Sequence, residues 1–243
     1  MLKSILRSVL PQSIQDGIAK RRMMRIQQSY SRLSLRDVFE RVYSSNAWAT
    51  EEHSVLHSGA GSTGRCVDEY VVIMKDLIAG HHVESIADLG CGNFNTGRAI
   101  SPLALRYIGV DIAQSVVDFN TANYATATVQ FVRADLTKDD LPPADAAIVR
   151  QVLQHLTNDE IRAALNNILR AYPLVFVTEH IYAGEDVEPN VDFDHGPGTR
   201  VPMKSGVFID LPPFGLQTRS FRDIDFGEDS VIRTWVVRRD EKV

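Results

Sequence analysis

A chain of 243 residues with 44% hydrophobic content has enough apolar side chain to bury a full core, and its length suits one α/β domain with additions. A net charge of −5 argues against a general nucleic-acid binder, whose footprint would be basic. No apolar run approaches the ~18 residues of a membrane span, and the only cysteines, Cys66 and Cys91, predict a reducing compartment rather than a disulfide framework.

In chain order, residues 1–36 come first as a basic arm, with Lys3, Arg7, Lys20, Arg21, Arg22, Arg25, Arg32 and Arg36 set against Asp16 alone. That balance of +7 leaves −12 for the remainder. The opening MLKSILRSVLPQS is broken by Arg7 and Pro11, which makes a poor secretory segment and predicts a cytoplasmic protein. The arm reads as a solvated tail. Its Leu2, Ile5, Leu6, Val9 and Leu10 interleave with the charges and also suit an anionic membrane surface. Residues 37–82 read as a helical extension and flap. SLRDVFERVYS (34–44) puts Val38, Phe39, Val42 and Tyr43 on one face, with Ser34 as cap. HSGAGSTG (57–64) is a linker or a flap, and RCVDEYVVIMKDLIAG (65–80) is a helix that stops at Gly80.

Residues 83–243 carry the main pattern. Strands are predicted at Ser85–Leu89, Tyr107–Asp111, Val129–Ala134, Ala146–Arg150 and Leu174–Glu179, with four helical stretches between them. This predicts a Rossmann-like, doubly wound, mostly parallel sheet. Leu216–Arg222 and Val231–Arg238, joined by the acidic DIDFGEDS, suit an antiparallel hairpin at its end. Residues 183–215 hold five prolines and five glycines and read as a binding loop or lid on the acceptor side of the site.

The chemistry concentrates at strand ends. IADLGCGNFNTG (86–97) runs a buried strand into a turn with Gly90 and Gly92, and a dinucleotide fingerprint would want a third glycine where Asn95 stands. Asp88 precedes that turn, Asp111 ends the second strand, and Asp135 follows the third. Ligands of doubly wound sheets sit at this edge, where an acid on the second strand suits ribose hydroxyls.

The segments DLGCG (88–92), GVD (109–111), RAD (133–135) and AAIVRQVLQHLT (146–157) resemble the class I S-adenosylmethionine-dependent methyltransferases, over roughly Ser85 to Glu179. One departure is Phe94, where that family usually has a third glycine. The resemblance implies S-adenosylmethionine as cofactor. Asp88, Gly90, Cys91 and Gly92 would contact its methionine part, Asp111 and Ile112 the ribose, Asp135 and Leu136 the adenine. Arg150 and Gln151 would close the methionine side. FERVYSSNAW (39–48), SGAGST (58–63) and residues 190–214 look like a subgroup encoded with surface-polysaccharide assembly enzymes, which implies a sugar or glycan hydroxyl as acceptor.

Transfer to a hydroxyl releases a proton, so a base belongs at the same edge. His155, His180 and Glu179 are the candidates. Asp192, Asp194 and His195 are hard-metal ligand types, but such a run in a loop is more often hydrogen-bonded, and no metal is expected. No Asn/Asp-Pro-Pro-aromatic motif follows the fourth strand, which disfavours nucleic-acid bases as acceptors. The rival readings are a nucleotide-cofactor oxidoreductase, disfavoured because no Tyr-x-x-x-Lys pair occurs, and a non-catalytic cofactor-binding protein. The sequence leaves oligomeric state open.

Overall fold

The computed structural model describes residues 12–48, 64–227 and 229–239. The apolar stretch at 2–10 and the SGAGST segment lie outside them. Helices α1 (Gln12–Gln28), α2 (Leu35–Ser44) and α3 (Arg65–Gly80) precede the sheet. Strands β1 (Ser85–Leu89), β2 (Arg106–Asp111), β3 (Val129–Arg133), β4 (Ala146–Arg150), β5 (Leu174–Tyr182), β6 (Ser220–Gly227) and β7 (Ser230–Arg238) then form one sheet in the order β3-β2-β1-β4-β5-β7-β6. The first five pair in parallel and β7 runs antiparallel to both β5 and β6. This is the mostly parallel Rossmann-like sheet with an antiparallel C-terminal hairpin that the sequence pattern implies.

The interior strands read as continuous apolar runs because both of their faces are covered. Tyr70, Met74 and Ile78 of α3 pack with Ile86, Ile148, Phe176 and Ile232 on one face. On the other, α2 and α6 (Asn158–Ala171) cover Ala87, Val149, Val175 and Trp235. Between β1 and β2 lies the short α4 (Gly97–Ile100), and α5 (Gln114–Tyr124) joins β2 to β3.

Three details differ from the sequence reading. Three helices, not four, separate the parallel strands, since 134–145 crosses without one. The side-chain amide of Asn167 holds this irregular crossing by donating to the carbonyls of Leu136 and Asp139, at 3.0 and 2.8 Å. The acidic DIDFG segment is strand, not turn: β6 starts at Ser220 and the hairpin closes around Gly227–Ser230. Residues 12–28 of the arm are helical rather than a solvated tail, and Gln27 is buried.

Side-chain caps set the helices that carry the site. Ser34 caps α2 by accepting from the Asp37 amide. The first turn of α5 has no cap of its own. Glu40 of α2 supplies one by accepting from the amide of Gln114 at 2.5 Å and the hydroxyl of Ser115 at 2.7 Å. This ties α2 to the end of β2. Thr157 and Glu160 form a reciprocal capping box on α6. Thr157→Ala should lower stability by about 1 kcal/mol, a fall of ~2–4 °C in thermal midpoint followed by circular dichroism.

Candidate active site

One pocket opens at the carboxyl ends of β1, β2 and β4, where strand order reverses between β1 and β4. Its walls include Asp88, Gly90, Cys91, Gly92, Asp111, Ile112, Asp135, Leu136, Arg150, Gln151 and His155. All ten predicted cofactor residues and one of the three predicted bases therefore meet there.

The glycine turn is locked from two sides. The amides of Gly90 and Cys91 both donate to the Val110 carbonyl, at 2.7 and 3.0 Å. Gly90 has φ +82°, and a Cβ added there would lie 2.3 Å from Val152 Cγ2, so only glycine fits. Asp111 accepts from the Gly92 amide at 3.1 Å and the Ala113 amide at 3.0 Å. Burial raises its carboxyl to about 6, although these bonds oppose the shift. Asp88, also buried, is raised to about 6 for the same reason, opposed by the Tyr107 hydroxyl that donates to it and by the charge of Arg150. Asp135 differs. Burial pushes its carboxyl up, but bonds from the amide and hydroxyl of Thr137 and the ammonium of Lys138 outweigh this and hold it below the usual range.

Position 94 explains the missing third glycine. Phe94 takes the left-handed conformation, φ +63°, and its ring packs against Tyr107, Tyr124 and Phe131 with centroids 5.0 to 5.4 Å apart. Gly97 leaves the space, since a Cβ there would come within 2.4 Å of that ring.

Glu179 and His180, both offered as bases, do not line the pocket. Successive residues of a strand face opposite ways, and β5 sends these two to different partners. Fully buried Glu179 accepts from the amides of Val152, Leu153 and Gln154, at 3.1, 2.9 and 3.2 Å. It pins the loop after β4, and burial raises its carboxyl to about 8. The His180 ring lies against Phe226, and its Nε2 meets the Ser230 hydroxyl at 2.9 Å.

His155 is buried within the 3₁₀ turn Leu153–His155. Its Nδ1 lies 2.9 Å from the carbonyl of Gly198. A carbonyl only accepts, so Nδ1 carries the hydrogen and Nε2 keeps the basic lone pair. Burial lowers the imidazole to about 4, leaving it neutral at pH 7.

The other half of the pocket was not singled out from the sequence: Leu35, Phe39 and Tyr43 from α2, together with Trp48 and Tyr70. The Trp48 ring lies 4.9 Å from His155 and 5.3 Å from Tyr43, and its indole N–H donates to the Pro197 carbonyl at 2.9 Å. The amphipathic pattern of α2 exposed Phe39 and Tyr43 only as core positions. The Tyr70 hydroxyl is buried at the pocket near Thr178, and the Arg150 guanidinium stacks on its ring at 4.8 Å.

No residue of 183–215 lines the pocket; the segment acts through Trp48 and His155. Fully buried Arg200 fastens it by donating to the Leu156 carbonyl and the Asn158 side chain, both at 2.7 Å. The trio considered for a metal meets three different partners, Asp194 through its backbone alone. Asp192 accepts from the Asn158 amide, the Asp194 carbonyl accepts from Gln27, and His195 meets Glu160.

The donor set suits S-adenosylmethionine. Asp88 complements an ammonium, Arg150 a carboxylate, and Asp111 a ribose diol, while the buried Tyr70 hydroxyl offers one more polar contact. Residues 86–172 match the family model described as a methyltransferase domain. No curated protein matches the chain in sequence. Among solved structures, the chain is similar to human N-acetylserotonin methyltransferase in complex with SAM, at TM-score 0.54 and 15% identity over 92% of this chain, and it covers 65% of that chain. It is also similar to the N-methyltransferase NodS from Bradyrhizobium japonicum WM9 in complex with S-adenosyl-L-homocysteine, at TM-score 0.55 and 12% identity, covering 81% of this chain and 98% of that one. A third is the N-terminal domain of EvdMO1 in the presence of SAH and D-fucose, at 0.50 and 15%, covering 85% and 97%. At such identities the likeness is one of fold.

Glu179→Gln puts an amide NH2 against backbone donors. The variant should lose about 1–3 kcal/mol of stability, measured by urea unfolding, because a buried donor is left unpaired.

Proposed function

We propose that this chain, which matches a methyltransferase-domain model over residues 86–172, uses S-adenosylmethionine to methylate a hydroxyl oxygen of a small molecule or glycan, with a sugar ring as the acceptor class. The observation that carries this reading is one pocket with two unlike halves, an acid-rich cofactor end and an aromatic end that finishes at His155. Phe39, Tyr43 and Trp48 offer flat apolar surface to the C–H face of a ring, and His155 offers a neutral imidazole. The likeness of FERVYSSNAW and residues 190–214 to a polysaccharide-associated subgroup supports the same class, and the D-fucose in the EvdMO1 crystals is a precedent on this fold.

The bound cofactor supplies a methyl already activated on a sulfonium, so the chain's main task is alignment, worth up to ~7–11 kcal/mol in well-oriented pairs. Asp88 and Arg150 would grip the amino-acid end, Asp111 with Ile112 the ribose, and Asp135 with Leu136 the adenine. Because Asp135 is drawn into its own turn by Thr137 and Lys138, its part is to shape the adenine wall. The aromatic wall would hold the acceptor. His155 would take the hydroxyl proton on Nε2 while the Gly198 carbonyl stabilises the N–H on the far side of the ring. Glu179 would keep the loop of Val152 to His155 in place. Trp48, fixed by Pro197, excludes water from the transfer.

Calorimetric titration with S-adenosylmethionine, followed by mass spectrometry of a sugar-acceptor panel, tests the reading. Methylated nitrogen, or tight binding with no product, would count against it. His155→Ala should lower kcat ~10²–10⁴-fold with cofactor affinity little changed; a loss below tenfold would remove His155 as base.

The pH profile follows from the shifted groups. Asp88 and Asp111, raised to about 6, are ionised above that pH and protonated below it. Cofactor affinity should therefore weaken as pH falls through 6, while the His155 limb of kcat should appear only toward pH 4. Steady-state kinetics at saturating and limiting cofactor separate the two.

A further inference from the structure

Helix α1 has two opposite faces with different fates. Gln27 is buried, and its side chain accepts from the Gly198 amide at 2.9 Å and donates to the Asp194 carbonyl at 2.6 Å. A Cβ on Gly198 would lie 3.0 Å from Met23 Cγ. That face is docked on the segment that backs His155.

The opposite face carries Ile14, Ile18, Arg21, Arg22 and Arg25, at i, i+4, i+7, i+8 and i+11, which is one continuous stripe on an α-helix. Ile14 and Ile18 are 48% and 49% exposed, and the three arginines are exposed as well. Among the described residues none of the three makes an ion pair. The stripe is thus basic and apolar at once, on a chain whose first 36 residues carry +7 and whose remainder carries −12.

We propose that this face of α1 docks the protein peripherally on an anionic lipid bilayer. Arginine stems lie along apolar surface while their heads reach lipid phosphates, and the isoleucines between them enter the headgroup boundary. Nucleic acid would use the arginines but leave the isoleucines in water. The acidic remainder is repelled by the same membrane, so the charge asymmetry orients the molecule with α1 toward the lipid. The attraction is screened by salt.

The test is co-sedimentation of the full chain with phosphatidylcholine vesicles containing phosphatidylglycerol, against pure phosphatidylcholine. Binding is expected only to the anionic vesicles and should fall as salt rises. With ~1 kcal/mol per basic residue near the surface, the triple variant Arg21→Gln, Arg22→Gln, Arg25→Gln should partition about 100-fold less. Ile14→Ser with Ile18→Ser should also weaken binding. Both sets lie on the solvent side, and an unchanged thermal midpoint shows that they fold. Equal binding to both vesicle types, no effect of either variant, a dimer in sedimentation analysis that masks the stripe, or binding to oligonucleotides without binding to vesicles would each overturn the proposal.

Discussion

Two loops that leave neighbouring strands almost touch, and the site depends on that approach. The turn after β1 brings Gly90 against Val152 of the loop after β4, with no room for a Cβ between them. Neither loop holds this position alone. The β1 turn hangs on the Val110 carbonyl and the Asp111 carboxylate, and the β4 loop hangs on Glu179. Two buried acids thus act as fasteners for backbone, each accepting amides that would otherwise be unsatisfied at a strand end. The pocket floor is the seam between the loops.

Much of this was legible in the sequence because parallel strands buried on both faces leave unbroken apolar runs, and because acids that end such runs stand out against them. Asp88, Asp111 and Asp135 were readable for that reason. Glu179 and His180, expected as candidate bases, do not line the pocket; a strand end says nothing about which of two adjacent side chains faces the cleft. The pleat sent Glu179 to the β4 loop and His180 to Phe226. That Phe39, Tyr43 and Tyr70 wall the pocket was hidden for a different reason. An aromatic residue at helical spacing looks the same whether it fills a core or walls a pocket, and only the packing of α2 through Glu40 and of α3 on the sheet decides which.

The segment 183–215 shows how a loop rich in proline and glycine can matter without touching ligand. Its carbonyls at Pro197 and Gly198 orient one indole and one imidazole, and its own position is set by Arg200, Asn190 and the Glu160 of a capping box. The same Glu160 completes the N-terminus of α6 and meets His195. Helix stability and the position of the segment behind His155 therefore share one carboxylate. The docked face of α1 joins this arrangement through Gln27, so the N-terminal helix is part of the scaffold behind His155.

The aromatic plug at Phe94 has a consequence for the acid it never touches. Its ring abuts Tyr107, and the Tyr107 hydroxyl donates to Asp88. Core packing on the far side of the turn thereby sets the aim of the one hydroxyl that favours the charged form of that acid. Restoring a glycine at 94 would not return the turn to a commoner form. It would leave a hole in an aromatic cluster, let Tyr107 tilt, and retune a carboxyl at the mouth of the pocket. Phe94, Gly97, Tyr107 and Asp88 form one packed unit, in which ring volume on one side of the turn bears on proton affinity on the other.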